Sequence, residues 1–298
     1  MVLEAYYRLV SPQLIARVRQ LWSALGLDLD AAWREAISSA PGFQPLHETA
    51  APADSRPFDL LLLFDQAAIW LRCTEVAVGR AWRLCATGRT TALSGDQLRA
   101  LLAILGRLRE EVAAVRLLAL AQLPIPAMQV IRTVSEDVDM ALVVALRPKV
   151  ARRFAECRTV EDAGEFWKRH VAGGRAFRAV AEQLYRVGLD YSPDSSYARW
   201  RREAQVLLGA AVHTSYVGAG PLANSIEDCL AFATLRLQEL CVYAMMLGDA
   251  LRADLRTGAE TADPAERDFC RVAYAGGEIL LDQMRWLTAA DERVAAVS

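Results

Sequence analysis

Apolar residues recur at helical spacing almost from one end of this chain to the other, and no other feature confines the fold as tightly. A spacing of three and four residues places side chains on one face of a helix. Strands need alternation and clusters of β-branched residues, and neither pattern occurs. The expectation is an all-α fold: a multi-helix bundle of long amphipathic helices with a small helical N-terminal unit.

Helix-start signals repeat along the chain. Ser11-Pro12 puts a capping residue before a proline at the first helical position. Ser94 to Gln97 reads as a capping box, and Asp263-Pro264-Ala265-Glu266 combines a cap, a first-position proline and a third-position glutamate. Helices are expected near residues 11–25, 29–39, 58–87, 95–123, 126–146, 148–157, 160–172, 174–187, 196–213, 222–256 and 264–289. In the helix over 58–87, Asp65, Arg72 and Arg83 share one face, which reads as a wet stripe on an otherwise apolar core helix. Ala40 to Pro57 contains Pro41, Pro45, Pro52 and Pro57 and reads as a linker. The domain expectation is an N-terminal unit over 1–39, a linker over 40–57 and a main bundle over 58–298.

The 298 residues are 54% hydrophobic and 23% charged, and this length buries a core without staples. A net charge of −2 argues against general binding to a phosphate backbone, so no general DNA binding is expected. Only two of the 34 basic residues are lysines, Lys149 and Lys168, and neither follows a Gly-rich loop as P-loop chemistry requires. The six cysteines form no C-x-x-C pair and read as small core residues in a reducing compartment. Met1 to Glu4 has no basic, apolar leader pattern, so a cytoplasmic location is expected. Leu60–Leu71 carries Asp65 and is short. Val112–Ile131 carries Arg116 and is interrupted by Pro124 and Pro126. Both read as buried helices, and no membrane partner is expected. No histidine or cysteine spacing suits zinc, so neither metal nor cofactor is expected.

The first candidate site is Gln129 to Asp139. Gln129, Arg132, Thr133 and Glu136 recur at three- and four-residue spacing, with Asp137 and Asp139 beside them. Arg132 and Glu136 stand four apart, where they can pair. Functionally, the arginine holds an anionic group and the glutamate acts as a base or ligand. Structurally, the two form an internal ion pair that fixes helix packing. The second candidate is His213 with Thr214, Ser215 and Tyr216, closing a helix before Gly218-Ala219-Gly220-Pro221. A histidine there is favoured as a cation by the helix dipole and can serve as acid or base, or cap the helix. Glu227 and Asp228 have a helix-start explanation, and a Mg²⁺ reading would need Asp137 or Asp139 beside them. Tyr197 to Arg202 interleaves arginines with aromatics, as in a phosphate- or base-contacting patch or a solvated helix start.

Three segments together, Val112 to Pro126, Arg132 to Glu136 and Leu207 to Ser215, resemble a bacterial family of helical proteins with R-x-x-x-E and S-x-x-x-H motifs, HEPN-like in appearance. The resemblance covers roughly 95–220. It implies Arg132, Glu136 and His213 as shared polar positions and membership of toxin–antitoxin or phage-defence systems. The family serine is Gly209 here. The HEPN ribonuclease spacing, an arginine four to six residues before a histidine, is absent around His47, His170 and His213; Arg202 stands eleven residues before His213. Two functions follow. One is a cytoplasmic helical binding or interaction protein, a stress or phage-defence component that self-associates or binds a protein partner. The other is an enzyme acting on an anionic small molecule or RNA, with Glu136 and His213 catalytic and Arg132, Gln129 and Tyr216 binding substrate.

Overall fold

A computed structural model describes residues 7, 10–39, 56–188, 192, 194–212 and 226–295. Among these there are twelve α-helices and no strand: α1 (Pro12–Ala24), α2 (Leu29–Ser39), α3 (Arg56–Ala86), α4 (Gly95–Leu120), α5 (Pro124–Leu146), α6 (Pro148–Glu156), α7 (Val160–His170), α8 (Arg175–Arg186), α9 (Ser196–Val212), α10 (Ile226–Leu247), α11 (Asp249–Thr261) and α12 (Arg267–Ala295). The all-α multi-helix bundle expected from the sequence is therefore the fold.

Local chemistry sets the helix ends. The Ser11 hydroxyl accepts the Leu14 N–H at the start of α1, with Pro12 next to it. At α4, the Ser94 hydroxyl accepts the Gln97 N–H while the Gln97 side chain accepts the Ser94 N–H. Each reciprocal cap satisfies two amides that the helix itself leaves without a partner. Two expectations differ from what forms. The stretch over 222–256 is two helices, α10 and α11, broken at Gly248. A Cβ at Gly248 would lie 2.6 Å from the Ala244 carbonyl oxygen, so this close turn of backbone excludes a side chain. Residues 264–266 form a turn in which Asp263 Oδ1 accepts the N–H groups of Ala265 and Glu266, so α12 starts at Arg267 rather than Pro264.

Helices α3, α4, α5 and α10 pack on one another at the centre, with α11 and α12 on the α3 side and α6, α8 and α9 on the α4–α5 side. One contiguous apolar cluster runs from Tyr7, Leu14 and Trp22 through Phe64, Ile131 and Leu237 to Leu280. The N-terminal helices belong to that cluster. Trp22 Nε1 donates to the Gln66 side chain at 3.0 Å, and Arg17 pairs with Asp282 at 2.7 Å. The expected linker over 40–57 falls almost wholly outside the described residues.

The wet stripe on α3 is corrected at Asp65, which is fully buried. The Tyr7 hydroxyl donates to its Oδ2 at 2.6 Å, and Arg116 donates Nε to Oδ1 at 2.9 Å and Nη2 to Oδ2 at 3.1 Å. Helical spacing shows which residues share a face but not what covers it, and distant residues cover Asp65. Within α10, Glu227–Leu247 is long and apolar enough to cross a bilayer by length and composition, and 61% of that window is buried inside the protein.

Candidate functional site

Asp139 is the second internal carboxylate with arginine partners. It faces α9 and α10 from α5. Arg201 Nη2 donates to Oδ2 at 2.7 Å, and Arg236 Nη2 donates to Oδ1 at 2.8 Å and to the Ser135 carbonyl at 3.1 Å. Glu239 pairs with Arg236 one helical turn away and lies 3.7 Å from Arg201 Nη1. The Arg201 guanidinium carbon lies 4.2 Å above the centre of the Phe177 ring. All four charged residues are buried. Two cations and two anions leave the quartet self-neutral, which buried charge requires if it is not to cost several kcal/mol. The Arg201 Nε is enclosed without a hydrogen-bond partner among the described residues.

Through Asp139, this quartet borders a cavity of about 330 Å³ between α5, α8 and α9. Arg132, Ser135, Glu136 and Asp139 come from α5, Gln205, Leu208 and Gly209 from α9, and Phe177 from α8. Trp167 of α7 and the Gly173-Gly174 turn close the remaining side. Both glycines have positive φ, 66° and 71°, which lets the chain reverse between α7 and α8. The cavity is at the lower end of the roughly 300–1,000 Å³ typical of small-molecule sites.

Arg132 and Glu136 stand in the cavity wall as the sequence placed them, on one face of a helix. Their Nε to Oε1 separation is 3.5 Å, and their side chains are 35% and 36% exposed. Among the described residues, neither group has a second ion pair or a side-chain hydrogen bond, and Glu136 acts at longer range on Arg107, Glu111 and Asp137. The ion pair expected of them forms, half-exposed rather than internal, and the internal ion-paired carboxylate on α5 is Asp139, one turn further along. Gly209 stands beside the guanidinium, where a Cβ would lie in ordinary contact at 3.9 Å from Arg132 Nη1. Gln129 lies away from the cavity wall and donates Nε2 to the Ala211 carbonyl at 2.9 Å, tying α5 to the last turn of α9. His213 and Tyr216 lie outside the described residues.

The remaining candidates resolve into structural roles or separate positions. Asp137 faces α4, where Arg107 Nε approaches it at 3.0 Å and also donates to Glu111 at 2.8 Å. Burial, reinforced by Glu111, pushes the Asp137 carboxyl up to about 7. Neither Asp137 nor Asp139 joins Glu227 and Asp228, and the described residues contain no group of three or more His, Cys, Asp or Glu placed to hold a metal ion. The arginines of 199–202 divide: Arg199 and Arg202 are exposed, whereas Arg201 is internal. Trp200 stacks on Phe232 with ring centres 5.6 Å apart. Burial pushes up the Cys73, Cys229, Cys241 and Cys270 thiols, so none of them is a ready thiolate.

Sequence reasoning missed most of the cavity. Arg236 and Glu239 carried a readable signal, an R-x-x-E inside an otherwise apolar helix. Trp167, Phe177 and the Gly173-Gly174 turn carried none, because their meeting with α5 depends on the reversal between α7 and α8. Comparison of the chain with family models, curated proteins and solved structures found no match.

Proposed function

We propose that this chain is a helical binding protein whose ligand is a small polar molecule held in the cavity between α5, α8 and α9. The observation that carries this reading is the Arg132–Glu136 pair. It stands half-exposed in the wall of a concave site, with hydrogen-bonding capacity that no described residue uses. A guanidinium offers five donors in a planar fork that suits a carboxylate or phosphate. The quartet beneath it holds α5, α9 and α10 in register without adding net charge to the site. Ligand sites work best when such supporting contacts fix the residues around them. The resemblance of residues 95–220 to HEPN-like helical domains supports a cytoplasmic role in stress or phage defence, with the cavity as the point where a ligand is sensed.

A ligand-observed NMR screen of small charged fragments tests the reading. Wild-type protein is expected to bind a subset of them. Arg132→Gln, and separately Gly209→Leu, which fills the space beside the guanidinium, are expected to lose those hits while keeping the melting temperature. Hits retained by both variants, or a screen without hits, would overturn it.

A further inference from the structure

The cavity's charge pattern narrows the ligand class, and the narrowing rests on the reading of this cavity as a ligand site. Of the three ionic groups that line the cavity, Asp139 is committed, since each of its oxygens already accepts from an arginine. That leaves Arg132 and Glu136. A ligand carboxylate that docks on the Arg132 guanidinium takes over the position Glu136 holds, and Glu136 then faces the site without a cation. Its surroundings make that costly. On the side of α5 that faces α4, Glu111 and Asp137 lie close enough for Glu136 to raise the proton affinity of both, and Arg107, the cation that Glu136 also acts on there, is already paired with those two. A ligand cation docking on Glu136 strands Arg132 in the same way. Only a ligand that brings both charges leaves neither group of the wall unpaired.

Geometry sets how far apart those charges stand. Arg132 Nε and Glu136 Oε1 are 3.5 Å apart, so the ligand's anionic and cationic groups must stand close together, as two groups on one carbon do. The rest of the wall mixes polar groups, Ser135 and Gln205 among them, with apolar and aromatic ones. Trp167 is 46% exposed on the helix that closes the site, Leu208 lines it from α9, and Phe177 lines it with the Arg201 guanidinium stacked against its ring. Aromatic walls favour a flat apolar group in offset or edge contact. We infer that the cavity takes a zwitterion with a flat apolar side group, the chemistry of an aromatic α-amino acid. The carboxylate meets Arg132, the ammonium meets Glu136, and the ring lies between Trp167 and Phe177.

Isothermal titration with three probes that share one ring and differ in charge tests this: L-phenylalanine, 3-phenylpropionate and 2-phenylethylamine. Phenylalanine is expected to bind, with each singly charged probe weaker by about tenfold or more. Arg132→Gln and Glu136→Gln are each expected to weaken phenylalanine by a similar factor without changing the melting temperature. Either singly charged probe binding as tightly as phenylalanine, with Arg132→Gln or Glu136→Gln weakening it, overturns the zwitterion while leaving the cavity a ligand site. Phenylalanine binding that both variants retain overturns both readings. Failure of all three probes to bind overturns the aromatic zwitterion, and the fragment screen then decides the cavity separately.

Discussion

Asp65 and Asp139 are buried carboxylates, each held by arginine, on helices α3 and α5 that both pack against α4 and α10. Around Asp65 the contacts close completely. One arginine and one phenol hold it, and burial together with the neighbouring carboxylate pushes the Tyr7 hydroxyl up, which keeps it a donor. Around Asp139 two arginines and a glutamate balance the charge, but the carboxylate borders open space that Arg132 and Glu136 overlook. The same chemistry of arginine and carboxylate thus pins the N-terminal segment to the bundle in one region and underlies a cavity in the other. The lesson lies in what remains unengaged. Both Asp65 oxygens are engaged by fully buried partners, whereas one turn from Asp139 a loosely joined pair faces the cavity.

The largest effects should come from breaking the two closed sites. Asp139→Asn leaves two guanidinium groups facing one glutamate, and Asp65→Asn leaves Arg116 without its counter-charge. Each should cost about 3–5 kcal/mol in urea denaturation, Asp139→Asn at the upper end. A loss below about 1 kcal/mol at Asp139 would mean its charge is solvated and the quartet is not closed. Tyr7→Phe should follow at about 1–3 kcal/mol, because it removes one donor from a buried carboxylate while the arginine stays. Should Tyr7→Phe cost nothing, the N-terminal segment would not be pinned through Asp65.

A smaller effect concerns Asp137, on the side of α5 that faces α4. Its carboxyl stays protonated in the fold to about pH 7, whereas the unfolded chain loses that proton near its ordinary value of 3.8. Between these values the folded state binds more protons than the unfolded state, so this group's contribution to stability falls as pH rises. Above about pH 7 the loss is complete. Asp137→Asn removes that slope and should gain on wild type by about 1–3 kcal/mol between pH 4 and pH 8. A stability difference that stays flat over that range would place Asp137 in water.

Much of the fold was legible because helix starts are local. Ser11 and Ser94 each act on amides within three residues of themselves, whereas Asp263 holds a turn ahead of α12. The spacing of Arg132 and Glu136 also sufficed to put both on one wall. What could not be read depends on distance. Asp65 is paired by Arg116 and Tyr7, 51 and 58 residues away. Arg201 was open to a better reading. Ala198, Arg201, Ala204 and Leu208 share one face at helical spacing, and all four are buried. An arginine on the apolar stripe of its helix signals an internal charge more strongly than the basic residues beside it signal a solvated patch.

The measurement that tests the comparison most directly is a double-mutant cycle on Arg132 and Glu136, read by urea denaturation of the wild type, Arg132→Gln, Glu136→Gln and the double variant. If the pair is a half-exposed group held ready for a ligand, its coupling should stay below about 0.5–1 kcal/mol. A coupling of about 3 kcal/mol, the size expected of a closed buried pair, would make Arg132 and Glu136 part of the scaffold and contradict the account of the cavity.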